Sequence, residues 1–238
     1  MPYARLDDVQ LPSDQIGLAL SEGAWDAHVA IAFRSVDDHE LKFLHFFKNK
    51  SVRCDSRRQL VGRRWIGCIA GLSPLACKPL VGIVRVIAKN QPPIKLGINL
   101  KATPGSFTEG VYAPPPGSDG LTCASFVAEI FRDAGYKLVD LASWPANFDN
   151  LQWGDQVHKA LCKQGAPADQ LDAVLANNTG LRLHPFEVGA VGEMPSNQWP
   201  VDYARASHAA AQLTALWHTI APEILSIPKV IRKLLRLH

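Results

Sequence analysis

Cys123 lies in the run Leu121-Thr122-Cys123-Ala124-Ser125-Phe126-Val127, where a turn-rich stretch gives way to an amphipathic segment predicted to be a helix ending near Gly135. A thiol in the first turn of a helix faces backbone N–H groups that have no intrahelical partner and the positive end of the helix dipole. Both favour the thiolate, the form in which cysteine attacks a carbonyl. A buried cysteine acting as a small hydrophobe is the competing reading of the same position. Two histidines supply what such a nucleophile needs. His28 opens the apolar run His28-Val29-Ala30-Ile31-Ala32-Phe33, and His45 sits in the next one, Leu41 to Lys48. A base held on a rigid strand and a polar group that orients its ring complete the requirement of a cysteine hydrolase. Each histidine also has a plainer reading, as a core side chain bonded to a carbonyl or a half-buried strand residue. The pair on one hairpin invites a metal as well, but no third ligand with suitable spacing is evident.

The elements that must position these residues follow from pattern. His28 to Phe33 and Leu41 to Lys48 are rich in β-branched and aromatic residues and are separated by Asp37-Asp38-His39-Glu40, which predicts an antiparallel hairpin with the histidines on neighbouring strands. Asp55 to Gly71 and Leu80 to Lys89 have helical spacing with a Pro/Gly break between them, and Gln91-Pro92-Pro93 stops the second. Ile94 to Leu100 reads as a returning strand. Residues 102–120, with Pro114-Pro115-Pro116-Gly117, read as a shaped loop that delivers the chain to Cys123. Phe126, Val127, Ile130 and Phe131 mark one face of the following helix. Beyond it the pattern predicts a strand over 137–141, helices over 149–163 and 169–176, a strand pair or irregular arm over 181–191, and an Ala-rich helix over about 201–219. The fold class is α+β.

Composition narrows the function. The 238 residues are 47% apolar and 20% charged with a net charge of +3, which suits a compact chain with a sizeable core and gives no electrostatic case for nucleic acid. Five cysteines without a C-x-x-C pair suggest neither a zinc site nor a disulfide framework, so reduced thiols and no cofactor are expected. The first residues carry Asp7 and Asp8 and lack the apolar core of a signal peptide. That predicts a cytoplasmic protein, or one exported by another route. The stretch from Trp65 to Ala88 is interrupted by Pro74, Lys78, Pro79 and Arg85 and reads as one or two buried helices rather than a membrane span. Residues 222–238 set Ile224, Leu225, Ile227, Ile231, Leu234 and Leu235 against Lys229, Arg232, Lys233 and Arg236, a basic amphipathic helix able to pack on its own domain, a membrane surface or a protein partner.

Gly110-Val111-Tyr112, followed by Leu121 to Gly135 with its helix-start cysteine, Phe126-Val127 and closing Ala134-Gly135, resembles the NlpC/P60 branch of the papain-like cysteine peptidases. The chain departs from that pattern in having Thr122 where Asp is usual and Ala124-Ser125 where Ser-Gly is usual. Because the strand histidines precede the cysteine, the resemblance is to the circularly permuted members, the YiiX/YaeF-like and lecithin:retinol acyltransferase-like proteins. The resemblance covers roughly Ala24 to Gly135 and implies an antiparallel sheet packed on helices; the catalytic domain is expected over residues 1–165, with a mainly helical extension over 166–238 packed on the same domain. It implies Cys123 as nucleophile, His28 as base, His45 as third member and Tyr112 at the oxyanion or substrate. The expected activity is that of a cysteine amidase or peptidase acting through a thioester on a peptide, amide or acyl-lipid substrate. A lipid-directed acyltransferase or thioesterase, and a non-catalytic interaction module, are the alternatives.

Overall fold

The computed structural model describes residues 3–22, 27–36, 39–60, 65–100 and 105–220. Among them the fold is α+β, built on a six-stranded antiparallel sheet. Its strands are β1 (Ala4–Arg5), β2 (Gly17–Glu22), β3 (Ala27–Arg34), β4 (Leu41–Lys48), β5 (Ser51–Ser56) and β6 (Trp65–Ile69), in the spatial order β1-β6-β2-β3-β4-β5. The predicted hairpin is present as β3–β4, in the register Ile31 opposite Leu44. Alternation divides the sheet. Val29, Ile31, Phe33, Leu44 and Phe46 join the large core on one face, while Ala30, Ala32 and Phe43 join a smaller cluster with Trp65 and Leu60 on the other.

Among the described residues of 55–71, expected to be helical, there is no helix: Asp55 and Ser56 end β5, and Trp65 to Ile69 form β6. Trp65 to Cys68 are buried, with Ile69 half-buried, and they pair with both β1 and β2. A central strand covered on both sides reads as an unbroken apolar run, which periodicity cannot distinguish from a buried helix. The helix that follows, α1 (Pro74–Asn90), starts six residues before Leu80. Ser73 caps it by accepting from the Ala76 N–H at 3.3 Å, and it runs through Pro79 without a break.

Within the 102–120 loop lies a small hairpin, β7 (Ser106–Thr108) and β8 (Val111–Ala113), turned by Glu109 and Gly110, both at positive φ. Residues 94–100 and 137–141 form no strand, only single bridges from Leu96 to Leu121 and from Val139 to Val201. The remaining helices are α2 (Cys123–Asp133), α3 (Phe148–Lys163), α4 (Ala168–Ala176), α5 (Pro185–Glu193) and α6 (Tyr203–Ile220). Helix α5 stands where a strand pair or irregular arm was expected over 181–191. The His184 ring accepts from the Phe186 N–H, Glu187 accepts from the His184 N–H at 2.7 Å, and Pro185 occupies the first turn, all helix-start signals. Buried from Pro185 to Gly192, it shows no amphipathic period.

Helix α5 packs on β2 and β3, where Gly192 lets its backbone approach Leu18; a Cβ there would sit 2.2 Å from that side chain. One core cluster therefore includes Tyr3 near the start of the chain and Trp217 in α6, spanning the expected boundary at 165. The basic segment 222–238 lies outside the described residues. No helix among the described residues is long and apolar enough to cross a membrane.

The sheet also buries acids that titrate at high pH. Burial pushes the Cys68 thiol up to about 12 and the neighbouring Tyr3 phenol well above its usual value. Groups whose folded pKa is raised bind protons more tightly in the folded state, so their contribution is complete below the unfolded pKa, about 9 for the thiol, and is lost as pH rises toward the folded value. Urea midpoints should accordingly fall between pH 9 and 11, by about 1.4 kcal/mol of stability per pH unit for each such group. Cys68→Ala should flatten this alkaline slope, and an identical slope in that variant would contradict the assignment.

Candidate active site

Three consecutive strands build a line of hydrogen bonds. His28 Nε2 lies 2.9 Å from His45 Nδ1, and His45 Nε2 lies 3.1 Å from Asp55 Oδ2. Each step is a diagonal cross-strand pair. Phe43 faces Asp55 and His45 faces Arg53, so Asp55 is two residues along from the partner of His45. Continuing the β3–β4 register sets His45 against Ala30, two residues from His28. Diagonal neighbours of this kind are within reach of imidazole and carboxylate side chains, and the small Ala30 leaves room for the rings. All three side chains are buried. Trp65 packs edge-on to His28 and Phe47 edge-on to His45.

Asp55 decides the tautomers. Arg53 Nε lies 3.7 Å from its other oxygen and favours the carboxylate, which only accepts. His45 therefore donates from Nε2 and accepts at Nδ1, and His28 donates from Nε2. The lone pair of His28 is left on Nδ1, where a base needs it. Because the two rings bond to each other, they do not converge on a common metal position.

Cys123 is the first residue of α2, and Thr122 caps that helix reciprocally. Thr122 Oγ1 accepts from the Ser125 N–H at 3.1 Å, and Ser125 Oγ accepts from the Thr122 N–H at 2.8 Å. The two departures from the resembled motif thus form one self-consistent cap. The loop before the cap is held by Asp119, whose Oδ1 accepts from the N–H groups of Ile98 and Asn99, both at 3.0 Å. Gly120, at φ +132°, lies so close to Lys95 that a Cβ would fall 2.1 Å from its carbonyl oxygen.

The backbone amides around the sulfur, of Val29 after His28 and of Ala124 and Cys123 at the helix start, favour its thiolate. Burial nevertheless pushes the Cys123 thiol above its ordinary value, outweighing these amides and the Arg182 guanidinium, which pull it down. The amides of the helix start favour the thiolate as expected, and burial opposes them.

No family model, curated protein or solved structure matches the chain. What the residues can do is set by the cavity that they line. Cys123 and His28 both line a cleft of about 330 Å³, walled by Phe46, Phe47, Leu96, Trp153, Val157 and Leu183. Residues after 165 hold this wall in place: Gln170 donates to Asn49 Oδ1 and to the Leu96 carbonyl, both at 2.9 Å.

Tyr112 is not brought into the cleft. It packs on Phe107, its hydroxyl bonds to Ser118, and burial pushes it up to about 12. Two residues at the site were not expected. Asp55 falls in a stretch with helical spacing, although the turn residues Asn49-Lys50 after a strand-like run were a signal that another strand follows. Arg182 carries no motif and is recognised only by its place in the cleft.

Proposed function

We propose that the protein is a cysteine hydrolase of the amidase or peptidase class, working through a thioester on Cys123. The observation that carries this reading is the Asp55–His45–His28 line of hydrogen bonds, which ends in the cleft that Cys123 lines. Cys123 Sγ attacks the carbonyl carbon while His28 Nδ1 takes the thiol proton. The imidazolium so formed keeps donating from Nε2 to His45, and Asp55 balances its charge through that ring. The carbonyl oxygen becomes an oxyanion near the N–H groups of Cys123 and Ala124, which already lean on the sulfur. Collapse expels the leaving group, which takes the proton back from His28. Water, deprotonated by His28, then cleaves the thioester and restores the thiol. The resemblance to permuted papain-like proteins agrees with this order of residues.

The apolar walls of the cleft favour a second reading, in which an amine or alcohol replaces water and the acyl group is transferred. The two share the acyl-enzyme, and mass spectrometry of the products separates them.

Alkylation by iodoacetamide, followed residue by residue, tests the base. The half-buried Cys123 should react faster than the exposed Cys162, and His28→Ala should slow Cys123 by about tenfold or more without changing Cys162. Equal rates at Cys123 in the two proteins, with unchanged thermal melts, would remove His28 as base.

A further inference from the structure

Helix α3 presents one row of side chains to the cleft that Cys123 lines: Trp153, Val157, Ala160 and, at the C-terminal cap, Gln164. Steps of four, three and four residues keep them within one narrow stripe of the helix. From Trp153 to Ala160 the side chains shrink. Val157 also belongs to a small cluster with Ile98, Leu161 and Val174, which seats α3 on its neighbours. Ala160 is buried without being part of that cluster, and its side chain borders the cleft.

The space beside the thiol suits an apolar group. Phe46, Phe47, Leu96 and Leu183 complete its walls, and no carboxylate lines it. Three of the polar groups at its border are engaged within the protein. Asn49 Oδ1 accepts from the Leu96 N–H and from Gln170, both at 2.9 Å, Thr122 Oγ1 accepts from the Ser125 N–H at 3.1 Å, and the Arg182 guanidinium stacks over the Trp153 ring at 4.1 Å. A strongly hydrated acyl group would give up water there for few partners, whereas every methylene buried is favourable. Since a dry apolar cavity of about 150 Å³ holds a benzene ring, the cleft's volume of about 330 Å³ holds roughly eight to ten carbons.

We propose that the cleft is an acyl pocket, taking a linear aliphatic acyl group of about eight carbons on the Cys123 sulfur, and that Ala160 is the specificity-determining residue that sets the length accepted. This rests on the cysteine-hydrolase reading and names its substrate class. The bond made joins Cys123 Sγ to the acyl carbon. The bond broken is the one to the amine or alcohol of the donor, which departs with the thiol proton carried by His28.

Two length series on the full chain test it. Across p-nitrophenyl esters from acetate to dodecanoate, kcat/KM should rise by about three- to fourfold per methylene as far as octanoate or decanoate and then stop rising. Ala160→Phe should lower the octanoate-to-acetate ratio by about thirtyfold and move the maximum to butyrate, and Ala160→Leu should move it to hexanoate. The second series needs no turnover: alkyl methanethiosulfonates from ethyl to decyl transfer their alkylthio group to cysteine, and labelling is read residue by residue. The Cys123-to-Cys162 rate ratio should climb with length to octyl, and Ala160→Phe should flatten that climb. A kcat/KM that is flat or falls from acetate onward, a labelling ratio independent of length, or a maximum unmoved in both folded variants would overturn the proposal. Should Ala160→Phe not fold, the unmodified chain and Ala160→Leu decide it. Absence of turnover with every ester beside a climbing labelling ratio would instead remove the hydrolase reading and leave an apolar binding site, so the two failures are told apart.

Discussion

Cys123→Ser lowers kcat/KM toward p-nitrophenyl butyrate to below about 10⁻⁴ of the unmodified protein, while its circular dichroism and thermal melt stay the same. The size of the loss follows from the site. With serine in place the His28–His45–Asp55 line is untouched, and the Thr122–Ser125 cap persists because it uses neither the Cys123 side chain nor its N–H. What is lost is a sulfur nucleophile whose proton the imidazole can take, replaced by a hydroxyl of far higher pKa. Two further measurements define the result. A burst of p-nitrophenol equal to the enzyme concentration is expected before steady state, and intact mass should show the butyryl adduct on Cys123 only. Retention of more than about a tenth of the activity in Cys123→Ser would end the covalent mechanism, and with it both the hydrolase and the transferase readings.

Asp55→Asn is the second large effect, expected to reduce kcat by about 10³-fold with little change in KM. An asparagine amide beside His45 Nε2 can turn either way. If its NH₂ faces the ring, His45 must accept at Nε2 and donate from Nδ1, and His28 must then accept at Nε2, which moves its own proton to Nδ1 and removes the base. If the amide oxygen faces the ring, the tautomers survive but the imidazolium loses its counter-charge. Both routes act on the chemical step and not on binding, because Asp55 does not line the cleft. A merely structural role would instead lower stability with kcat preserved in the folded fraction. Asp55→Glu should recover part of the rate, and a kcat within threefold of normal in Asp55→Asn would remove Asp55 from the relay.

The histidines and the cysteine were legible because their neighbours carry strong local signals. Val29, Ile31 and Phe33 announce a strand around His28, and Phe126, Val127, Ile130 and Phe131 announce a helix after Cys123. Asp55 was hidden because Ser51-Val52-Arg53-Cys54-Asp55-Ser56 is short, polar on alternate positions and located at the sheet edge. Its identity as a strand comes from pairing with β4, a non-local fact. The strand at Trp65–Ile69 and the helix at Pro185–Glu193 were misread for a related reason: elements buried on every side lose the period that reveals them. Arg182 and Tyr112 illustrate the other limit. Which loop residue reaches a cleft depends on how distant segments dock, and spacing along the chain carries no record of that.

The relay has a consequence for how reactivity arises during folding. His28, His45 and Asp55 are separated by only 17 and 10 residues and belong to one meander of strands, so the base assembly is specified by near-neighbour contacts. The nucleophile arrives from a far longer stretch of chain and meets the base only when α2 seats on β3 and β4. Under the proposed mechanism, chemical competence is therefore a property of that seating. On the proposed mechanism a nascent or partly opened chain carries a finished proton acceptor and an idle thiol, and the base-assisted alkylation of Cys123 falls with the fraction of chains in which the helix has lifted from the sheet.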